Sequence, residues 1–156
     1  MIRFFFLGVF LVHFWSPIYT QTVKLDVNGV RFTTSRAEVR KKLGRPSSDK
    51  IGGDVPCDGG AARRTIRYPG LILRLASDPG EPEFGVYAVG VTSGRWSVSG
   101  VRIGSTKNVV LRKLGKGKAL SRHEPSQLGY VLDEGYADFY FTKNRLTKVF
   151  WQFNFC

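Results

Sequence analysis

Histidine and cysteine are scarce in this chain, with two of each among 156 residues, and acidic residues number only 12 against 24 Lys and Arg. One histidine, His13, falls in the apolar start, so His123, in a Ser-Arg-His-Glu-Pro loop, is the only other. That excludes a histidine-rich metal site, and it supplies a single candidate base with no partner the sequence can place beside it, since triads are recognised by geometry. His123 therefore reads as an exposed loop residue. The few carboxylates, among them Asp54, Asp58, Asp78, Glu81, Glu83, Asp133, Glu134 and Asp138, sit mainly in turns or at strand ends. Paired-carboxylate hydrolysis needs two facing groups, one with a raised pKa, and no such pair is visible. Gly115-Lys116-Gly117-Lys118 lacks the length and closing Ser or Thr of a phosphate-binding loop. The expectation is a protein that is not an enzyme, with no catalytic residues, no metal and no cofactor.

Long apolar runs are missing too. The longest, Phe4 to Trp15, falls short of the roughly 20 apolar residues that a bilayer span needs, but it suits the core of a secretory signal. Residues 1–20 read as a signal peptide cut between Thr20 and Gln21; the alternatives are a retained anchor or a buried first strand. No cysteine stands directly after the run, which argues against a lipid anchor. Export would put Cys57, in a Gly/Asp loop, and Cys156, the last residue, where disulfides persist, and two thiols allow one intramolecular bridge. Such a bridge closes a loop of roughly 100 residues, worth about 4–5 kcal/mol in the chain-entropy view. Two separate free or intermolecularly paired thiols are the alternative.

Positive charge is abundant. The formal charge is +12, and +11 without residues 1–20, whose one charged residue is Arg3. A balance of this kind predicts attraction to something anionic and says nothing about fold. For an exported protein the partners that fit are an acidic protein or an anionic envelope component, lipid or wall polymer; nucleic acid fits the compartment poorly.

A near-duplication organises the rest. Residues 29–45, GVRFTTSRAEVRKKLGR, recur at 100–116 as GVRIGSTKNVVLRKLGK. In the first copy Ser35 and Glu38 form an S-x-x-E capping box, Val39 and Leu43 share one helical face, and Gly44 followed by Pro46 stops the helix. The second copy has Ser105 and Thr106 as caps, Val110 and Leu114 on the same stripe and Gly115 at the stop, without the Glu. Strand-like alternation follows each copy: 63–68, 71–75 and 85–91, then 129–132, 137–141 and 146–155. Tyr68-Pro69-Gly70, Asp133-Glu134-Gly135 and Thr142-Lys143-Asn144 read as hairpin turns. The fold class expected is α+β: two tandem α-β-β-β units, 21–99 and 100–156, forming one antiparallel sheet of about six strands with helices packed on one face and the other face open.

The positions Val30, Phe32, Ser35, Val39, Leu43 and Gly44, repeated as Val101, Ile103, Gly104, Thr106, Val110, Leu114 and Gly115, resemble a pattern of two kinds of exported bacterial protein. One is the small lipoprotein of the β-barrel assembly machinery, the SmpA/OmlA type; the other is the β-lactamase inhibitory protein, with two tandem copies in a sheet that grips an enzyme. The resemblance implies fold and setting. It carries over no activity and no contact residue.

Two surfaces are candidates for binding. Arg36, Arg40 and Lys41 on the first helix, and Lys107, Arg112 and Lys113 on the second, form a doubled cationic patch, or else a solvated face that keeps the protein soluble. Alternation sends Tyr136, Asp138 and Tyr140 to one side of their strand and Ala137, Phe139 and Phe141 to the other, while Phe150, Gln152 and Asn154 oppose Val149, Trp151, Phe153 and Phe155. Core packing accounts for most of these aromatics, but Tyr136, Tyr140, Phe150 and Gln152 on an open sheet would be interface anchors. The sequence thus predicts an exported, periplasmic or secreted, binding protein that engages a macromolecular partner, inhibition of an enzyme or toxin being one form. A cell-envelope module using its basic helices on lipid or wall polymer is the alternative.

Overall fold

The computed structural model describes residues 23–52, 62–77, 80–117, 127–133 and 135–153. The expected signal segment, His123, and both Cys57 and Cys156 lie outside the described residues. In chain order the elements are α1 (Arg36–Leu43), β1 (Ser48–Gly52), β2 (Arg63–Tyr68), β3 (Leu71–Ala76), β4 (Gly85–Val91), β5 (Ser97–Val98), β6 (Val101–Arg102), α2 (Lys107–Leu114), β7 (Gln127–Leu132), β8 (Gly135–Thr142) and β9 (Arg145–Phe153). Seven strands make one antiparallel sheet in the order β1-β2-β3-β4-β9-β8-β7, and β5 and β6 form a separate two-stranded ribbon.

This corrects the expected fold class. The protein is mostly β, with two eight-residue helices against a seven-stranded sheet, and two tandem α-β-β-β units do not describe it. The first half supplies four strands, and the ribbon intervenes before α2. β1 escapes a reading by periodicity because Ser-Asp-Lys-Ile-Gly has no alternation and a single β-branched residue, Ile51. It is held by tertiary contact instead: Asp49 receives Arg36 Nη2 at 2.7 Å and Arg64 Nη1 at 2.6 Å, joining α1, β1 and β2.

The helices start and stop for local reasons. Ser35 caps α1 in a full capping box with Glu38. Thr106 occupies the corresponding position of α2 but makes no side-chain cap, and Ser105 Oγ accepts from Arg102 N–H instead. Both helices end on a glycine at positive φ, Gly44 at 81° and Gly115 at 80°, a conformation that costs glycine nothing. Each end is then tied to the sheet. The Tyr68 hydroxyl donates to the Gly44 carbonyl at 3.0 Å, and the Tyr130 hydroxyl to the Gly115 carbonyl at 3.1 Å, so a carbonyl that helix geometry leaves unpaired is satisfied in each case.

The two repeat copies also meet at their beginnings. Asn28-Gly29 and Ser99-Gly100 have positive φ at both residues, the requirement of a tight type I′ turn. The turns interlock: Asn28 N–H donates to the Ser97 carbonyl and Ser99 N–H to the Asp26 carbonyl, while Val27 bridges Val98.

Register sorts the side chains of the large sheet. One row across it reads Ile66, Leu73, Val89, Trp151, Ala137, Tyr130; the next reads Tyr68, Leu71, Val91, Val149, Phe139, Leu128. All twelve are buried, and with Val39, Val110 and Leu114 of the helices they form a single core. At about 1.5–3 kcal/mol for each large apolar side chain buried, these rows are the main source of stability. Both helices, the ribbon and the 23–30 segment therefore lie over the same face.

Candidate functional site: the uncovered face of the sheet

The alternate rows point the other way. One reads Arg67, Ile72, Gly90, Phe150, Asp138, Gly129; the other reads Lys50, Thr65, Arg74, Ala88, Gln152, Tyr136, Val131. No described element lies over them. Four large apolar side chains are exposed among the described residues, and three of them, Ile72, Val131 and Tyr136, are on this face. The fourth, Ile51, is on edge strand β1.

Small residues at the sheet's centre shape this surface. Ala88 and Gly90 on β4 leave a low floor between Ile72 and Arg74 on β3 and Phe150 on β9, and the result is a groove of about 460 Å³. Arg67, Arg74 and Lys148 also line it, and no lining residue is acidic. Neither Arg67 nor Arg74 has an ion-pair partner among the described residues. The Lys148 ammonium stands 5.0 Å from the centre of the Tyr140 ring, a cation–π contact. A second hollow of about 370 Å³, between the 23–33 segment and Leu132–Asp133, mixes Lys24 and Arg31 with Asp26 and Asp133. Its balanced charges give no comparable preference for an anion.

Beyond Phe150 the face changes character. The Gln152 amide donates to the Tyr136 hydroxyl in a short hydrogen bond. Asp138, 8% exposed, is the only buried acid among the described residues. Burial pushes its carboxyl above the ordinary carboxylate range; hydrogen bonds from Gln127 and Tyr140 and the charge of Lys148 oppose the rise without cancelling it, and Oδ1 is sealed off without a partner. For Asp49 the balance is reversed. Burial again raises its carboxyl, but the hydrogen bonds and charges of Arg36 and Arg64 outweigh that and hold it below the usual value.

The structure places the expected residues in two groups that no single flat partner can touch together. Tyr136, Tyr140, Phe150 and Gln152 are on strands of the uncovered face, whereas Arg36, Arg40, Lys41, Lys107, Arg112 and Lys113 are on helices across the sheet from them. The helix set is not uniform either. Arg40, Lys41, Arg112 and Lys113 are exposed, Arg36 is engaged with Asp49, and Lys107 is half-buried with its ammonium 5.9 Å from the Phe141 ring centre. Sequence reasoning missed Arg67, Ile72, Arg74, Ala88, Gly90 and Lys148. The signal was available in β3, where Leu-Ile-Leu-Arg-Leu alternates bulk with a cation and places Arg74 on the face opposite the leucines.

No family model matches this chain, and no curated protein does, so the motif likeness to the β-barrel assembly lipoprotein and the β-lactamase inhibitory protein gains no support from either. Among solved structures, the chain is similar to a 1.5 Å crystal structure of an extracellular protein containing a SCP domain from Bacillus anthracis str. Ames, with a TM-score of 0.53 and 16% identity. The match covers 79% of this chain and 44% of that one. At that identity the likeness is one of fold alone. No described helix is long and apolar enough to cross a membrane.

Proposed function

We propose that this chain is an exported, non-enzymatic binding protein whose uncovered sheet face engages a protein partner. The observation that carries the reading is the inequality of the two faces. One is closed by both helices and the ribbon, and the other carries three of the four large apolar side chains exposed among the described residues, together with a groove framed by cations. Isolated exposed apolar residues are ordinary, but here Val131 and Tyr136 are paired in register and, farther along the sheet, Ile72 borders a groove rimmed by Arg67, Arg74 and Lys148, apolar surface with a polar rim of the kind that marks interaction sites. Antiparallel sheets keep one face free at no cost to the core, and rigid strands hold anchors such as Phe150 and Tyr136 without a further loss of entropy on binding. Export is supported by the apolar leader in the sequence and agrees with the extracellular origin of the fold neighbour.

The test is affinity capture with three baits made from mature protein: wild type, the face variant Tyr136→Glu/Phe150→Glu, and the helix variant Lys41→Glu/Lys113→Glu. Extracts and medium of the producing cells are applied at low and high salt. The reading expects a protein held by the wild type and the helix variant, retained at high salt, and lost from the face variant. Retention that survives the face variant but disappears with the helix variant or with salt refutes it, and favours the alternative in which basic helices hold an anionic envelope component.

A further inference from the structure

We infer that the groove between β3 and β9 takes a short acidic peptide segment carrying a central apolar side chain, and this rests on the reading of the uncovered face as the protein-binding one. Three features of the groove select that ligand.

The first is charge. Arg67 and Arg74 are exposed diagonal neighbours on β2 and β3, through the pairs Arg67–Ile72 and Thr65–Arg74, and Lys148 lies across the groove on β9. With no acidic group in the lining, the local field favours a ligand of opposite sign. Guanidinium groups also match carboxylates in two-point hydrogen bonds that a neutral amide cannot reproduce.

The second is the floor. Gly90 and Ala88 present almost no side chain, and Ile72 and Phe150 flank Gly90 on either side in the same row. A Cβ built on Gly90 comes no nearer than 4.0 Å to any atom, that of the Phe150 ring, so the space above it is open. An apolar or aromatic side chain fits between these walls. A phosphate polymer or lipid headgroup would satisfy the cations but leave the apolar floor and walls wet, which disfavours it here.

The third is length. From β2 to β9 the groove crosses three strand spacings, about 14 Å, the reach of an extended peptide of about four or five residues. Glycine in a central strand weakens the sheet by roughly 0.5–1 kcal/mol relative to a residue with a side chain, so Gly90 is a position where stability has been given up for space.

The probe is a fluorescent, end-blocked Glu-Glu-Phe-Glu-Glu peptide, titrated by anisotropy with mature protein in about 20 mM salt, alongside Gln-Gln-Phe-Gln-Gln, Glu-Glu-Gly-Glu-Glu and vesicles of phosphatidylglycerol. The expected result is saturable binding of the first peptide. Removing the charges should weaken it at least tenfold, and removing the ring by about tenfold or more, the worth of one buried apolar side chain. Gly90→Val, which fills the groove and should melt no lower than the wild type, and Arg74→Gln, which keeps it open, should each weaken binding at least fivefold. Lys113→Gln, on the far side, should leave it unchanged. Equal binding of the neutral peptide, undiminished binding by Gly90→Val and Arg74→Gln, or binding of vesicles without peptide overturns the inference. If the peptide fails while the face variant still loses its captured partner, the groove assignment alone falls; if both fail, so does the proposed function.

Discussion

Tyr68→Phe and Tyr130→Phe isolate the links between helix ends and sheet. Each removes one hydroxyl and keeps the ring, so the edge-on packing of Tyr68 on Trp96, at 5.7 Å between centres, and of Tyr130 on Phe139, at 5.2 Å, is preserved. What is lost is the hydrogen bond to the Gly44 or Gly115 carbonyl, in surroundings where each tyrosine is at most 6% exposed. A hydrogen bond of this kind is worth about 0.5–1.5 kcal/mol net. β2 and β7 are separated by five strand spacings, about 24 Å, so the two losses should add, giving about 1–3 kcal/mol for the double variant. Urea unfolding followed by tryptophan fluorescence measures this as lower midpoints at an unchanged slope. Burial also raises both phenols above their ordinary value of 10.0, with Asp49 adding to the rise at Tyr68 and Arg40 opposing it. Their contribution is therefore complete below about pH 10 and lost as pH climbs through the folded values, so the double variant should lose less stability than wild type in alkali. Single costs below about 0.3 kcal/mol at both sites, or a double variant far from the sum, would refute the view that these tyrosines independently secure the helix ends.

Further predictions concern the two unusual carboxylates and one glycine. Asp138→Asn should raise stability by about 1 kcal/mol at pH values above the folded pKa of Asp138, because a buried ionised group with an unpaired oxygen is then removed. Since the folded pKa of Asp138 is raised, wild-type stability falls as pH rises from 3.8 through the folded value, and the advantage of the variant should vanish in acid. Asp49→Asn should cost about 1–2 kcal/mol at pH 7, allowing for the exposure of Arg36; the loss should shrink as pH falls below 3.8 through the lowered folded value, where wild type loses the same charge. Gly135→Ala should be strongly damaging, about 2 kcal/mol or more by thermal melting, since its Cβ would run into the Gln152 carbonyl oxygen and the β8–β9 backbone would have to part.

What the sequence makes legible follows from where local chemistry decides structure. The capping box at Ser35, the glycine stops and the alternation in β2, β3, β4 and β8 are local, and they correspond to the observed helices and strands within a few residues. β1 was not legible, because its place depends on Asp49 meeting two arginines from different elements. The ribbon was missed for a related reason: each of its strands has two residues, and the 27–30 turn that pairs with it lies about seventy residues away in sequence. Alternation put Tyr136 and Tyr140 on one side of β8 and Phe150 and Gln152 on one side of β9, since period two needs no tertiary information; that the two pairs share a face follows from the β8–β9 register. It could not reveal the groove. That feature exists only because Gly90 falls between Ile72 and Phe150 in register, and register between β3, β4 and β9 is a long-range property.

The central claim, that binding uses the uncovered face, is tested most directly by lysine acetylation footprinting of the captured complex against free protein, read by mass spectrometry. Lys148 lines the groove, while Lys41 and Lys113 are exposed on helices across the sheet. The account predicts that the partner protects Lys148 severalfold and leaves Lys41 and Lys113 as reactive as in free protein. Protection of Lys41 and Lys113 with Lys148 unchanged would contradict it.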